Sequence, residues 1–262
     1  MNAQRQTANG SAAQGHGHGH GRGRTHIGTS GWSYDHWEDA FYPAGLATGE
    51  RLAFYARRFA TVELNNSFYQ LPAREDLEHW RDVVGDDFVF AVKASRYITH
   101  MKKLNEPRES LERFLGRVAA LGRTLGPVLF QLPPRWHCNP DRLASFLRQL
   151  PGEHRYAFEF RDPSWHVGEI HAALREAGAA FCIYDLAGDL SPKEVTADFV
   201  YIRLHGPEGP YEGSYDARAL SGWAGAISAW RDRGLDVYCY FDNDEAGHAP
   251  ANAARLADML DA

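Results

Sequence analysis

The sequence predicts a TIM-type (β/α)8 barrel in which the helix after strand six is short or missing. Its 262 residues, of which 44% are hydrophobic, match the usual size of one such barrel. From Thr25 onward, short runs of β-branched and aromatic residues alternate with longer segments of helical period, which indicates parallel strands joined by helices. Eight strand-like runs favour a closed barrel over an open doubly wound sheet, which usually has fewer strands at this length.

The segment before the barrel has a different composition. Residues 1–24 contain mainly Gln, Gly, Ala, His and Arg, with a GHGHGHGRGR stretch and almost no aliphatic side chains. Such a segment buries too little apolar surface to offset its ordering entropy. We expect a disordered tail over residues 1–24 that stability does not require, followed by a single barrel domain over residues 25–262. The alternative for the tail is transition-metal binding through His16, His18 and His20.

Eight short segments are predicted to be strands because β-branched and aromatic residues are concentrated in them and turn residues follow them. In chain order they are 26–30, 61–65, 88–93, 127–132, 156–160, 180–185, 199–205 and 237–242.

Helices are predicted between these strands from apolar residues at helical spacing. They lie near 48–58, 74–84, 108–125, 140–150, 166–177, 219–233 and 250–261. The segment 108–125 shows the period most clearly, and Gly126 with Pro127 prevents its continuation. The sixth unit differs, because Gly188 and Pro192 interrupt the segment that follows the sixth strand. We expect a loop or a single turn there instead of a full helix.

Polar residues occupy one face of the predicted strands. Side chains alternate between the two faces of a strand, so every second residue in a barrel points into the lumen. One parity of each strand is apolar, and the other becomes polar near the carboxyl end. Phe90, Phe130, Phe158 and Ile202 hold the apolar parity, and we expect them to be buried between sheet and helices. Because TIM-barrel active sites lie at the carboxyl ends of the strands, the polar parity predicts a functional site there.

The candidate site residues have this inward parity or lie in the loops that follow the strands. We predict catalytic roles for Glu63, Glu159 and Asp242, because carboxylates in different electrostatic surroundings can divide the acid and base roles. The candidate ligand-binding residues are Trp32, Tyr34, Asn65, Phe68, Tyr69, Lys93, Gln131, Arg161, Trp165, Asp185, Arg203, His205 and Asn243.

The cations and aromatic residues of this set indicate the class of ligand. Lys93, Arg161 and Arg203 suit an anionic group, and aromatic side chains at a pocket mouth suit stacking on sugar rings or bases. We expect an anion to bridge Arg161 and Arg203. Arg203 should then be solvated, so that Arg203→Ala abolishes phosphate or sulfate binding and changes stability little. The structural alternative is that these charges form an ion-pair network without a ligand.

No cofactor is predicted. A divalent metal ion held by Glu63, Glu159, Asp185, His205 and Asp242 is the alternative, since carboxylates and imidazoles are metal ligands. No HxH, HExxH or cysteine spacing supports such a site, and the interleaved cations would compete with a metal. The GTSGWS segment after the first strand has neither Walker nor Rossmann spacing, so a Gly-rich phosphate loop is not indicated.

Overall composition narrows the range of partners. The formal net charge of −6 argues against a protein that depends on a broad basic surface. Cys138, Cys182 and Cys239 are far apart and form no CxxC pair, so neither a disulfide framework nor a structural zinc site is indicated. No apolar run approaches the roughly 18 residues of a membrane span. We therefore expect a cytoplasmic protein without a membrane partner, and the oligomeric state is left open.

Eight motifs in order resemble the YecE-like family, also called domain of unknown function 72. They are GTSGWSYDHW, FYP, TVELNNSFYQLP, FAVKASRYITH, LGPVLFQLPP, FEFRDPSW, YIRLHG and YFDNDEAGHAPANA. The resemblance runs from about Ile27 to Leu260. It implies a TIM barrel and an enzyme family without an assigned reaction, so it gives a fold and a site location but no substrate. Two residues that change the charge of the pocket depart from the family pattern, Asp242 where Asn is more usual and Asp162 where His is frequent.

Two functions are consistent with these observations. The leading hypothesis is an enzyme of hydrolase or lyase type that acts by acid and base chemistry on a small polar, anionic or carbohydrate-like ligand. The alternative is a nucleic-acid binding or repair-like barrel, with or without a bound metal, that stacks bases on the rim aromatic residues. A confined basic spot favours the small ligand, whereas a basic groove extending beyond the pocket favours nucleic acid.

Overall fold

The computed structural model describes residues 21–261. The prediction of a disordered, dispensable tail therefore lies largely outside the described residues, as do His16, His18 and His20. The residues on either side of the predicted boundary at residue 24 contact the barrel. The backbone N–H of Gly23 donates to the carbonyl of Arg231, and that of Arg24 donates to Asp236.

Eight parallel strands form a nearly closed barrel, which confirms the predicted fold. Their order around the barrel is β1-β9-β8-β6-β5-β4-β3-β2, and a short ninth strand, β7, pairs with β6 in antiparallel orientation. The strands are β1 (Thr25–Thr29), β2 (Thr61–Leu64), β3 (Val89–Lys93), β4 (Leu125–Leu132), β5 (Tyr156–Phe160), β6 (Ala180–Leu186), β7 (Asp189–Leu190), β8 (Phe199–Leu204) and β9 (Asp236–Phe241).

The barrel closes between β1 and β2 with little backbone pairing. At the carboxyl end, the N–H of Gly31 donates to the carbonyl of Glu63. Further down, the hydroxyl of Tyr55 takes the place of a backbone pair: it accepts from the Thr29 N–H at 3.0 Å and donates to the Thr61 carbonyl at 3.0 Å. A Cβ atom on Gly28 would overlap the Thr61 carbonyl oxygen, so the close approach of the strands requires glycine there.

Helices surround the barrel, with bounds that differ from the predicted ones at several ends. They are α1 (Arg51–Tyr55), α2 (Asn66–Tyr69), α3 (Arg74–Val83), α4 (Arg108–Val118), α5 (Pro140–Leu147), α6 (Gly168–Glu176), α7 (Ala217–Asp232) and α8 (His248–Asp261). The helix predicted over 108–125 is α-helical only to Val118 and continues as a 3-10 segment to Thr124, which is kinked at Gly122, where φ is 57°. The helix predicted over 48–58 is a 3-10 turn followed by the short α1.

The predicted absence of a full helix after the sixth barrel strand is confirmed. A tight turn at Ala187 and Gly188, both with positive φ, leads into β7. The chain then returns to β8 without regular secondary structure, and Thr196 anchors it: its hydroxyl accepts from the Phe181 N–H and donates to the Ala179 carbonyl, both at 2.7 Å.

Two separate apolar cores confirm the predicted strand parity. The outer core, between sheet and helices, contains Phe90, Phe130, Phe158 and Ile202, and all four are fully buried as expected. The lumen has its own core, whose members share the opposite parity. They include Ala91, Leu129, Ala157, Cys182, Tyr201, Tyr238 and Tyr240. The lumen is therefore filled with side chains up to the level at which its charged residues begin.

Within residues 21–261, no helix combines the length and apolar character needed to cross a bilayer.

Candidate active site at the barrel mouth

Arg203 is the centre of the charged cluster above the lumen core. It lies on β8 one lumen-facing position beyond Tyr201, and its side chain is fully buried. Its guanidinium donates to Glu63 at 2.7 Å, to Glu159 at 2.9 Å and to Asp242 at 2.9 Å. These three carboxylates come from different strand ends, so one cation draws three sides of the barrel together.

The expectation that Arg203 is solvated is therefore wrong. The lumen at this level is narrow enough for one guanidinium to reach carboxylates on several strands, and no water is needed to complete its contacts. The expected anion bridge between Arg203 and Arg161 is not supported either, because the nitrogens of Arg203 already face protein acceptors. The structural alternative, an internal ion-pair network, holds for this residue.

Glu63 is fully buried and accepts hydrogen bonds from three residues. Besides Arg203, Ser30 Oγ donates to it at 2.7 Å and Tyr201 Oη donates to it at 2.7 Å. A carboxylate enclosed in this way cannot touch a ligand at the mouth without a rearrangement. We therefore assign Glu63 a positioning role, in which it fixes the guanidinium of Arg203.

Glu159 is held just as firmly on the other side of Arg203. It accepts from Arg161 Nε and from Arg203, and His205 Nε2 lies 3.4 Å from its Oε1. Burial alone would raise the pKa of Glu159, but Arg161 and Arg203 outweigh it and hold the pKa well below its usual range. The group is thus a fixed anion across the neutral pH range, which does not suit a proton donor.

Asp242 and His205 form a pair that reaches solvent. His205 Nδ1 lies 3.0 Å from Asp242 Oδ2, and His205 Nε2 lies 3.0 Å from Arg161 Nη2. Because a guanidinium only donates, Nε2 must accept, which leaves the proton on Nδ1 pointing at Asp242. Burial would raise the pKa of Asp242, but Arg203 and His205 lower it below its ordinary value. Its side chain remains 13% exposed, so a ligand can contact this carboxylate.

Lys93 ends β3 and differs from the two arginines. Its ammonium lies 4.4 Å from the centre of the Phe68 ring, and within residues 21–261 it makes no salt bridge or hydrogen bond. Burial, followed by the charge of Arg203, lowers its pKa to about 8, although the nearby carboxylates act in the opposite direction. A cation without a carboxylate partner is the group most able to accept an external anion.

His100 extends the basic region beside Lys93. Its imidazole packs edge-on against the Phe68 ring at 5.0 Å, and its Nδ1 lies 2.9 Å from Thr99 Oγ1. Burial lowers its pKa to about 4, and Lys93, Arg96 and Arg161 add to the shift. His100 is thus a neutral imidazole at pH 7 within a region of positive potential.

A cleft of about 460 Å³ opens from the loops after β1 and β2. Trp32 forms one wall and packs edge-on against Trp80 at 5.0 Å. Asn65 lines the cleft near the mouth, and its buried Oδ1 has no hydrogen-bond partner in the described part of the chain. Tyr34 forms the edge nearest the charged cluster and donates to the Ser30 carbonyl at 2.8 Å. Three predicted ligand-binding residues thus line one cavity.

Trp165 and Asn243 are corrections to the predicted site. Trp165 is fully buried: it stacks on Phe160 at 5.0 Å and donates through Nε1 to the Trp136 carbonyl, so it belongs to the outer core. Asn243 is also fully buried and donates to Asn252, which ties the end of β9 to α8. Neither residue can touch a ligand at the mouth.

Asp185 is a further correction, because its parity on β6 is outward. The lumen-facing neighbour is Tyr184, whose ring lies 5.5 Å from the Arg161 guanidinium and 6.3 Å from the His205 ring. Burial raises the pKa of Asp185, and contact with Tyr215 partly opposes that shift. The carboxylate therefore lies apart from the charged cluster.

The remaining predicted ligand-binding residues are Gln131, Phe68 and Tyr69. Gln131 has the expected inward parity, but its Nε2 donates to the Leu132 carbonyl at 2.8 Å. Phe68 is buried beneath Lys93, so it supports the cation and does not stack on a ligand directly. Tyr69 is 75% exposed on the rim.

Four residues of the site are absent from the predicted catalytic and ligand-binding residues: Ser30, Tyr184, Tyr201 and His100. Tyr201 has the inward parity predicted for its strand, although no role was assigned to it. Tyr184 has the same parity as Cys182, so a parity count on the sixth strand could have found it. Ser30 and His100 lie in loops, where no such periodicity exists.

The carboxylates of the cluster surround a guanidinium. Across the part of the chain that the structure describes, no three His, Cys, Asp or Glu side chains are grouped as a bound metal ion would require. Arg203 occupies the position between Glu63, Glu159 and Asp242 that a cation would otherwise share.

Fold and site together define a TIM-barrel protein with a charged centre at the carboxyl ends of its strands. The sequence profile described as "Protein of unknown function DUF72" matches residues 26–262, and the chain belongs to this family. The predicted resemblance is thereby confirmed.

Relatives from bacteria support the assignment. The UPF0759 protein YunF of Bacillus subtilis is 26% identical over 269 residues, which cover 90% of this chain and 94% of that protein. The UPF0759 protein YecE of Escherichia coli K12 is 34% identical over 168 residues, which cover 61% of this chain and 58% of YecE. The crystal structure of a DUF72 family protein from Thermotoga maritima superposes with a TM-score of 0.82 at 28% identity, covering 91% of this chain and all of the other.

Proposed function

We propose that the protein is an enzyme that binds a small anionic ligand at the barrel mouth and acts on it by acid and base chemistry of hydrolase or lyase type. The observation that supports this most directly is the ammonium of Lys93, which lacks a carboxylate partner in the described residues and is only partly buried beside the charged cluster. A buried cation of this kind is unfavourable in the free protein, so its retention suits a ligand that supplies the missing negative charge.

The distribution of charge favours an anion over a cation. The carboxylates of Glu63 and Glu159 are enclosed by arginine and carry no exposed surface. At the mouth, Lys93 and Arg161 keep some exposed surface beside the carboxylate of Asp242, and Arg96 lies on the rim close enough to perturb His100. An anion at this point would meet several cations and one neutral imidazole.

Asp242 and His205 are the groups best placed for proton transfer. Asp242 is the one carboxylate of the cluster with exposed surface, and the interactions that lower its pKa keep it ionised near neutral pH, the form in which a general base acts. His205 holds it in position through Nδ1. This revises the predicted division of roles: Asp242 keeps its catalytic assignment, and Glu63 and Glu159 orient the cations.

The cleft beside the mouth can hold the uncharged part of the ligand. It presents the Trp32 ring, the hydroxyl edge of Tyr34 and the unpartnered Oδ1 of Asn65. A cavity lined by indole, phenol and amide groups suits a sugar ring or another polyhydroxy group. A carbohydrate-like ligand with one anionic group would thus use both features.

The confined extent of the basic region favours a small ligand over nucleic acid. The loops after β8 and β9 carry the exposed or partly exposed acidic residues Glu208, Glu212, Asp244 and Glu245. Together with the net charge of −6, they would repel a phosphate backbone on that side of the mouth. Nucleic acid remains the alternative hypothesis, to be tested in the same experiment.

Isothermal calorimetry of the full chain with inorganic phosphate and with sulfate tests the proposal. We expect saturable binding to the parent protein and at least a tenfold loss of affinity in Lys93→Met. Lys103→Met is the matched control, because Lys103 is an exposed rim lysine and its loss should leave anion affinity unchanged. Equal binding by all three proteins, or tight binding of a DNA or RNA oligonucleotide that Lys103→Met weakens, would contradict a confined anion site.

A further inference from the structure

We propose that Lys93 is a nucleophile that forms a Schiff base with an aldehyde or ketone carbonyl of the anionic ligand. The inference deepens the proposed function, on which it rests, by naming the substrate class: a small carbonyl compound with a carboxylate or phosphate group. It is carried by the surroundings of the Lys93 amine and by its neighbours at the mouth.

The first requirement is an amine that is not held as an ion pair. Lys93 Nζ has a ring face beneath it and no carboxylate within 4.0 Å among the described residues. Lys102, by comparison, pairs with Glu106 at 3.4 Å. With a pKa of about 8, roughly one Lys93 side chain in ten is a free amine at pH 7, whereas an ordinary lysine offers fewer than about one in a thousand.

The second requirement is a place for the carbonyl compound. Lys93 lies at the carboxyl end of β3, above the filled lumen, with Arg161 and Arg96 on the same side of the mouth. A carboxylate or phosphate held by the arginines would place an adjacent carbonyl carbon near the amine. The indole and amide groups of the neighbouring cleft would hold the remainder of the molecule.

The third requirement is a carrier for the protons that the amine loses. His100 packs against the same Phe68 ring as Lys93, and its pKa of about 4 keeps its imidazole neutral, so a proton taken from the amine would be passed on to the carbonyl oxygen and not retained. The exposed carboxylate of Asp242 is a second acceptor, close enough to act on the charge of Lys93. Proton transfer can therefore occur within the site.

The chemical step is balanced without a further reactant. The ammonium of Lys93 loses one proton to the acceptor, and the neutral amine attacks the carbonyl carbon, forming a C–N bond. The nitrogen gives up a second proton, both protons return to the carbonyl oxygen, and the C–O bond breaks to release water. The product is a protonated imine that carries the original positive charge, and no atom changes its overall oxidation state. Such an imine withdraws electrons from the neighbouring carbon and so stabilises the negative charge that develops there when a lyase breaks a bond to that carbon.

Reductive trapping tests the proposal on the full chain. The protein is incubated with sodium glyoxylate and sodium cyanoborohydride, and the modified positions are found by peptide mass mapping. The other lysines, Lys102, Lys103 and Lys193, serve as internal references. We expect Lys93 to be labelled at least ten times faster than any of them at pH 7, and Lys93→Arg to lose that label while the reference lysines keep theirs.

Two controls separate the parts of the inference. Acetaldehyde has the carbonyl without the carboxylate, so it should prefer Lys93 only through the larger fraction of free amine, and by a smaller factor than glyoxylate does; an equal preference with both probes would overturn the anionic substrate class. The labelling rate of Lys93 should level off above pH 8, whereas the labelling rates of the reference lysines should continue to rise with pH. Labelling of all lysines at the same rate would overturn the proposal that Lys93 is a nucleophile. If phosphate still bound in a Lys93-dependent way, the proposed anion-binding function would stand without the Schiff base.

Discussion

Arg203 Nη2 lies 2.7 Å from Glu63 Oε1 across the lumen, and neither side chain has any exposed surface. Strands β8 and β2 are not neighbours in the barrel, so this contact spans the sheet without following it. It turns what the sequence presents as a row of separate charges into one buried network. The network has consequences for stability that differ from those of a solvated site.

Replacing Arg203 should destabilise the protein strongly. The Arg203→Ala variant leaves the buried carboxylates of Glu63 and Glu159 without their shared cation, which typically costs about 3–5 kcal/mol. Urea denaturation of parent and variant measures the loss in the free energy of unfolding. Arg96→Ala, at an exposed position, should change it by less than about 0.5 kcal/mol. Similar stability of the two variants would show that the buried network is not formed in solution.

Replacing Lys93 should stabilise the folded protein, whereas replacing Arg203 destabilises it. Its pKa of about 8 in the folded protein lies below the value of about 10.4 in the unfolded chain, so the unfolded state binds the proton more tightly. The cost of burying the ammonium is fully present below pH 8 and is relieved as the pH rises from about 8 to about 10.4. Lys93→Met should therefore be more stable than the parent at pH 7, and the advantage should shrink over that pH range. Denaturant midpoints recorded between pH 6 and pH 10 give the comparison, and a less stable variant at pH 7 would refute the argument.

The correction at Trp165 can be tested by truncation. The indole is fully buried against Phe160, so Trp165→Ala should cost about 3–5 kcal/mol through the cavity that it leaves. Tyr69→Ala removes a ring of similar chemistry that is 75% exposed, and it should be nearly neutral. Thermal denaturation of the parent and both variants measures the two losses of stability. A ligand-binding Trp165 at the surface would give a small loss, close to that of Tyr69→Ala.

The hydroxyl of Tyr55 should contribute to barrel closure. Tyr55→Phe keeps the ring but leaves the Thr29 N–H and the Thr61 carbonyl without their partner, and each buried unsatisfied group typically costs about 1–3 kcal/mol. Tyr97→Phe, at a largely exposed hydroxyl, is the control and should have little effect. Equal unfolding free energies for the two variants would mean that water replaces the hydroxyl between the strands.

The sequence could predict which residues face the lumen because the pleat of a strand has a fixed period of two. Lys93, Glu159 and Arg203 all lie where this period puts them. The same reasoning could not reveal that the guanidinium of Arg203 saturates its carboxylates, because that depends on distances across the barrel. Loop residues carry no period, so Trp165, which packs inward from a 3-10 turn, was assigned to the wrong environment.

The junction between β1 and β2 closes the barrel through a small set of contacts. Along the other seven junctions, strands are joined by parallel pairing, but this one depends on the bridge at Glu63 and on the hydroxyl of Tyr55. Local opening of the folded protein should therefore begin at the β1–β2 junction. The amide proton of Gly31 should exchange with solvent deuterium sooner than those in the middle of β4 or β8. Glu63 belongs both to this junction and to the network around Arg203. A ligand that stabilises the network would therefore also slow the separation of β1 from β2.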